Sequence, residues 1–158
     1  MNTLRHTRLA ATLLFACTVA VSALAQTAPK VEDAWARSTV AGQAGGGGFL
    51  TGTSTGVDPY AESPATWINT RRNELLVVRM SQTAGAWAQV FFQTETDATW
   101  TPSKAVAFQI TADGTMHEYL VDLSTCADYK GVVTQLRLDP TDANGSAMVI
   151  DKVQVLSN

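Results

Sequence analysis

Charge, histidine and cysteine are all scarce in this chain of 158 residues, and each shortage removes a class of protein. Charged side chains make up 16% of it, with 11 basic residues against 14 acidic ones and a net charge of −3. Nucleic-acid binders draw their affinity from clustered Lys and Arg, so this balance argues against that class, and against anionic membrane surfaces as well. There is no Gly-x-Ser-x-Gly elbow and no His-Glu-x-x-His pair, and a chain with two histidines offers little for acid–base work. A noncatalytic protein is the expectation. Gly and Pro, at 11 and 5, are too few for a fibrous chain, while 46% hydrophobic residues are too many for a disordered one. One compact domain plus a short appendage remains.

The appendage is the N-terminus. Arg5 and Arg8 precede a short apolar run over 9–21, and Ala23-Leu24-Ala25 has the small-x-small form that signal peptidase accepts. The reading is a signal peptide over 1–25 and a secreted or periplasmic chain. The alternatives are a retained anchor and a lipoprotein box at Leu14-Phe15-Ala16-Cys17. Cleavage near Ala25 leaves 9 basic and 14 acidic residues, a charge of −5, and Cys126 as the single remaining cysteine. No intramolecular disulfide is then available, and the core must supply the stability.

After residue 48 the apolar periodicity is two, in short runs cut by Gly, Pro, Asp and Asn. Strands are expected at 49–53, 66–70, 74–80, 87–94, 105–110, 117–123, 132–139 and 147–156, with 31–36 as a further edge strand. The segment 42–48 reads as a glycine-rich linker, because a phosphate cradle needs a following helix and Phe49-Leu50-Thr51 opens a strand instead. Each half-apolar sheet must bury one face, so the fold class is all-β: a two-layer antiparallel β-sandwich over 49–158.

Several runs carry a resemblance. Leu75-Leu76-Val77-Val78-Arg79-Met80, Ala88-Gln89-Val90-Phe91-Phe92, Val106 to Ile110 before Asp113-Gly114, the Gln135-Leu136-Arg137-Leu138-Asp139-Pro140 block and the closing Val149-Ile150-Asp151-Lys152-Val153 resemble galactose-binding-like β-sandwich domains. That family includes many carbohydrate-binding modules. The likeness covers about 58–158 and implies a jelly-roll fold and recognition of a poly- or oligosaccharide. A weaker one lies at the other end, where Val31-Glu32-Asp33-Ala34-Trp35-Ala36-Arg37 resembles the start of periplasmic copper chaperones. It implies a cupredoxin-like fold and a His/Met site for Cu(I). The chain departs from that pattern, since Met80, Met116 and Met148 lack the chaperone spacing, and adjacent Met116 and His117 point to opposite sides of a strand.

A sugar presents an apolar C–H face ringed by hydroxyls, so its site needs an exposed aromatic plane beside amide, carboxylate or guanidinium groups. On a strand over 87–94 the residues Trp87, Gln89, Phe91 and Gln93 share one side and Ala88, Val90 and Phe92 the other. Likewise Gln135 and Arg137 oppose Leu136 and Leu138. If the apolar set fills the core, Gln89, Gln93, Gln135 and Arg137 line an outer sheet face, joined by Arg79 from the neighbouring run. Trp100, in the loop before Pro102, is the preferred stacking aromatic, followed by Trp67 and Tyr129. Large aromatics usually bury most of their area, which favours a core role for Trp67 and Trp87.

Asp151 interrupts an apolar closing strand and needs a partner. The family resemblance implies that an acidic residue there can help hold a structural Ca²⁺, with Glu62 or Asp58 as second ligand. A salt bridge, or exposure at a bulge, is the competing reading. For the whole chain, carbohydrate binding competes with a structural or protein-interaction sandwich lacking sugar affinity, and with periplasmic copper binding.

Overall fold

The computed structural model describes residues 30–36 and 48–157; the expected signal peptide and most of the expected linker at 42–48 lie outside the described residues. Ten strands follow one another: β1 (Lys30–Ala36), β2 (Gly48–Thr53), β3 (Ala61–Glu62), β4 (Ile68–Asn69), β5 (Leu75–Gln82), β6 (Trp87–Thr94), β7 (Ala105–Gln109), β8 (His117–Asp122), β9 (Val132–Asp139) and β10 (Ala147–Leu156). Short 3-10 turns at Pro102–Lys104 and Leu123–Thr125 are the helical elements among the described residues.

The strands form two sheets, with order β1-β2-β10-β5-β8 in the first and β3-β9-β6-β7 in the second, β4 also pairing with β9. All pairings are antiparallel. From β2 onward the chain crosses repeatedly between layers: β5, β8 and β10 return to the first sheet, while β3, β4, β6, β7 and β9 build the second. This is the jelly-roll way of leaving few exposed edges, and β1 adds an edge strand beside β2.

Alternation on each strand decides what goes inside. Leu76, Val78 and Met80 of β5 meet Ala88, Val90 and Phe92 of β6, Val133, Leu136 and Leu138 of β9, and Ile150 and Val155 of β10 in one core. Val and Ile, stiff at χ1, suit a pleated surface, and burying such side chains contributes about 1.5–3 kcal/mol each. Phe92 takes the edge of Tyr129 at a centroid distance of 5.1 Å, and the Tyr129 hydroxyl donates to the Asn73 carbonyl. Tyr129 therefore belongs to the core and its connections.

The turn from β5 to β6 is fixed by side chains of the β9–β10 connection. Gly85 adopts φ +111°, and a Cβ there would lie 2.1 Å from Thr141 Oγ1. The Thr141 hydroxyl donates to the Ala84 carbonyl at 2.7 Å, and Asp142 Oδ1 accepts from the main-chain N–H groups of Ala86 at 2.8 Å and Trp87 at 3.3 Å. Those contacts set where β6 begins and which way its first side chain faces.

Candidate functional site

The outer face of the second sheet brings together most of the residues that sequence reasoning selected. Along β6 the side chains Trp87, Gln89, Phe91 and Gln93 stand on the side away from the core. Across the pairing with β9, Gln89 meets Asp139, Phe91 meets Arg137 and Gln93 meets Gln135. On the other flank β7 sets Gln109 against Trp87, and the small Ala107 and Ala105 against Gln89 and Phe91. The β6 row spans about 20 Å at the usual rise per residue. Trp87 is 46% exposed at its start.

Arg137 is the centre of this face. Its guanidinium carbon lies 4.5 Å from the centroid of Phe91 and 4.6 Å from that of Tyr60, so the group is held between two rings. Nε and Nη2 fork onto Asp139 at 2.7 and 2.6 Å, and Asp58 stands 3.5 Å from Nη2. The fork raises the Arg137 pKa further, so the guanidinium stays charged. For Asp139, burial pushes the carboxyl up and outweighs the hydrogen bonds from Arg137 that draw it down. Nη1 takes no part in the fork, which leaves a donor edge of a preoriented planar group on a sheet surface.

Gln135 donates from Nε2 to the Ser63 carbonyl at 3.0 Å and weakly to Glu62 Oε2 at 3.4 Å. Its amide is thus oriented by β3 and the chain after it. At the Trp87 end, the Ala86 and Trp87 N–H groups hold the Asp142 carboxyl below its ordinary range. Amides, a guanidinium and an exposed indole therefore lie on one surface whose geometry is set by neighbouring side chains.

Two expectations need correction. Arg79 does not join this face: it lies on β5 in the first sheet, where it pairs with Asp151. Asp151 and Glu62 do not form one calcium site, because Asp151 sits in β10 of the first sheet beside that arginine and Glu62 sits in β3 of the second beside Gln135. The β10 register shifts between Ile150 and Lys152, so Asp151 stands at a bulge with a cationic partner, as the competing reading had it. Trp100, preferred as the stacking residue, is half-buried in the connection after β6, off the strand rows, whereas Trp67 and Trp87 are 77% and 46% exposed. The strand order is the expected jelly roll. Met80 and Met148 are buried in it, and Met116 is 37% exposed beside His117.

Tyr60, Asp58, Asp139 and Gln109 join the face without having been singled out for it. Trp87 was legible, because alternation puts it in line with Gln89. Tyr60 and Asp58 carry no such signal, since they precede a strand of two residues and reach Arg137 only through the β3–β9 pairing.

No protein-family model matches the chain, and no curated protein matches it. Solved structures do. A family 11 carbohydrate-binding module of the cellulosomal cellulase Lic26A-Cel5E of Clostridium thermocellum matches with 13% identity, 80% of this chain and 84% of that one covered, and a TM-score of 0.45. The C-terminal family 6 module of the laminarinase LamC from Zobellia galactanivorans matches with 11% identity over 80% and 90%, TM-score 0.44. A family 43 arabinoxylan arabinofuranohydrolase from Bacillus subtilis, solved with cellotetraose, matches with 13% identity over 81% of this chain and 25% of that one, TM-score 0.48. The jelly-roll assignment rests on the strand order itself.

Proposed function

We propose that this chain is a noncatalytic binder of a poly- or oligosaccharide, and that the outer face of the second sheet is its site. A sugar ring stacks its C–H face on Trp87, while Gln89, Gln93, Gln135 and the free edge of Arg137 bond ring hydroxyls further along β6 and β9. The observation that carries this reading is the exposed Trp87 at the head of a row of amides with a ring-clamped guanidinium beside it. A shallow row of this kind suits a chain of sugars more than a single one, because each residue along it offers one or two bonds and affinity must accumulate over several rings.

Affinity gel electrophoresis of residues 26–158 through neutral β-glucan, xylan and mannan tests the proposal. Retardation by at least one polysaccharide is expected, and Trp87→Ala is expected to weaken it about tenfold or more, in line with about 1–3 kcal/mol for loss of one stacked aromatic. Circular dichroism of the variant guards against misfolding. Absence of retardation in every gel, or full retention by a folded Trp87→Ala, removes the proposal.

A further inference from the structure

The charges on this face are unevenly shared. Of the strands that build the second sheet, only β9 carries a basic side chain, and it is Arg137. Around it stand Asp139 in the fork, Asp58 at 3.5 Å, and Glu62, which is the β9 partner of Arg137 in β3. Asp142 lies under the Trp87 end, its carboxyl held in the ionised form by two main-chain N–H groups. The one cation is thus already matched, and the further carboxylates have no cation of this sheet to offset them. The first sheet differs, since Arg79 pairs with Asp151 and Lys152 with Glu118.

Resting on the carbohydrate reading above, we propose that this face selects its ligand by charge: it takes uncharged glycans and rejects those bearing carboxylate or sulfate groups, with Asp58 and Glu62 as the specificity-determining residues. Asp58 is 60% exposed and Glu62 is exposed, so both look onto the surface where a ligand would lie. An anionic substituent on any sugar along the row approaches one or more of these carboxylates. The charge of Arg137 is already matched by Asp139 and Asp58, so its Nη1 edge offers a hydroxyl a bond but offers an anion no net positive charge. The repulsion acts through water and is screened by salt, reaching about 30 Å at 0.01 M but only a few ångströms near 1 M. It follows that the discrimination depends on ionic strength, which a steric rejection would not.

The test uses matched polymers, hydroxyethyl and carboxymethyl forms of the neutral glycan that best retards the chain, so that the substituents are close in size and differ in charge. At 10 mM salt the carboxymethyl form is expected to bind at least about fivefold more weakly, and at 0.5 M the two are expected to agree within about twofold. Asp58→Asn with Glu62→Gln is expected to close the gap at 10 mM, read as the ratio of carboxymethyl to hydroxyethyl binding by the same variant, so that any common change in affinity cancels. The control pair Glu118→Gln with Asp151→Asn changes the total charge equally on the opposite face, and is expected to leave the gap as it is. Equal or tighter binding of the carboxymethyl form by the unaltered chain overturns the inference. So does a gap that persists in Asp58→Asn with Glu62→Gln, or one that the control pair also closes. If no neutral glycan is retarded at all, the carbohydrate reading has failed and this one falls with it, an outcome distinct from binding without discrimination.

Discussion

Gly85 shows how much one residue can hold in place. Its φ of +111° lies where L side chains rarely go, and a methyl group would meet Thr141 Oγ1 at 2.1 Å and Asp142 Oδ1 at 2.9 Å. Those two side chains tie the turn to the β9–β10 connection, so Gly85→Ala must break the Thr141–Ala84 bond or move the start of β6. The expected cost is about 1–3 kcal/mol, read as a lower urea midpoint with an unchanged slope. A variant as stable as the parent contradicts this account of the turn. At the same scale, sequence reasoning read the indoles by their average burial and so expected Trp67 and Trp87 inside. Trp87 is outside because its strand alternation, which puts Ala88, Val90 and Phe92 in the core, leaves no room for it there. The local pattern outweighed the residue-type tendency, and it was visible in the sequence. The clamp on Arg137 was not, because Tyr60 is distant in sequence from both Phe91 and Arg137, and nothing in its own neighbourhood fixes where it lands.

Among elements, the long strands were legible and the short ones were not. β6, β9 and β10 fall where period-two runs place them, since six or more alternating residues leave little choice of face or boundary. The strand expected over 66–70 shrinks to Ile68–Asn69, and β3 was missed, because two residues give no period to read. Sheet membership was also hidden. β5 and β6 are joined by a tight turn and look like a hairpin, which is why Arg79 was assigned to the face that β6 builds. In a jelly roll that turn instead carries the chain from one layer to the other. The Arg79–Asp151 pair it forms on the far layer is exposed, at 46% and 34% of its side chains. Arg79→Ala is accordingly expected to cost no more than about 1 kcal/mol and to leave glycan binding unaltered. A large loss of binding in that variant, with melting temperature retained, would contradict the placement of the site on the second sheet.

For the molecule as a whole, acidity is the condition that matters most. Asp97 is drawn down to about 2, chiefly by the Thr99 hydroxyl and then by Lys104, and Asp113 to about 2 by the main-chain N–H and hydroxyl of Thr115. Asp142 is lowered too, by the Ala86 N–H. Unfolded carboxylates titrate near 3.9, so these three groups bind fewer protons folded than unfolded. Their contribution is present above that value and is lost as pH falls from about 4 to about 2. Asp139, raised by burial, works the other way: its part is full in acid and declines as pH rises past 4. With three groups against one, the melting temperature is expected to fall between pH 4 and 2 in thermal melts, and a flat profile down to pH 2 would contradict this. The arrangement of layers has one more consequence. β1, β2 and β10 all lie in the first sheet, so the closing strand belongs to the layer opposite the amide-lined one. A label on the exposed Gln154 of β10 therefore sits on the layer turned away from the amide-lined surface, where it reports on the molecule without covering that surface.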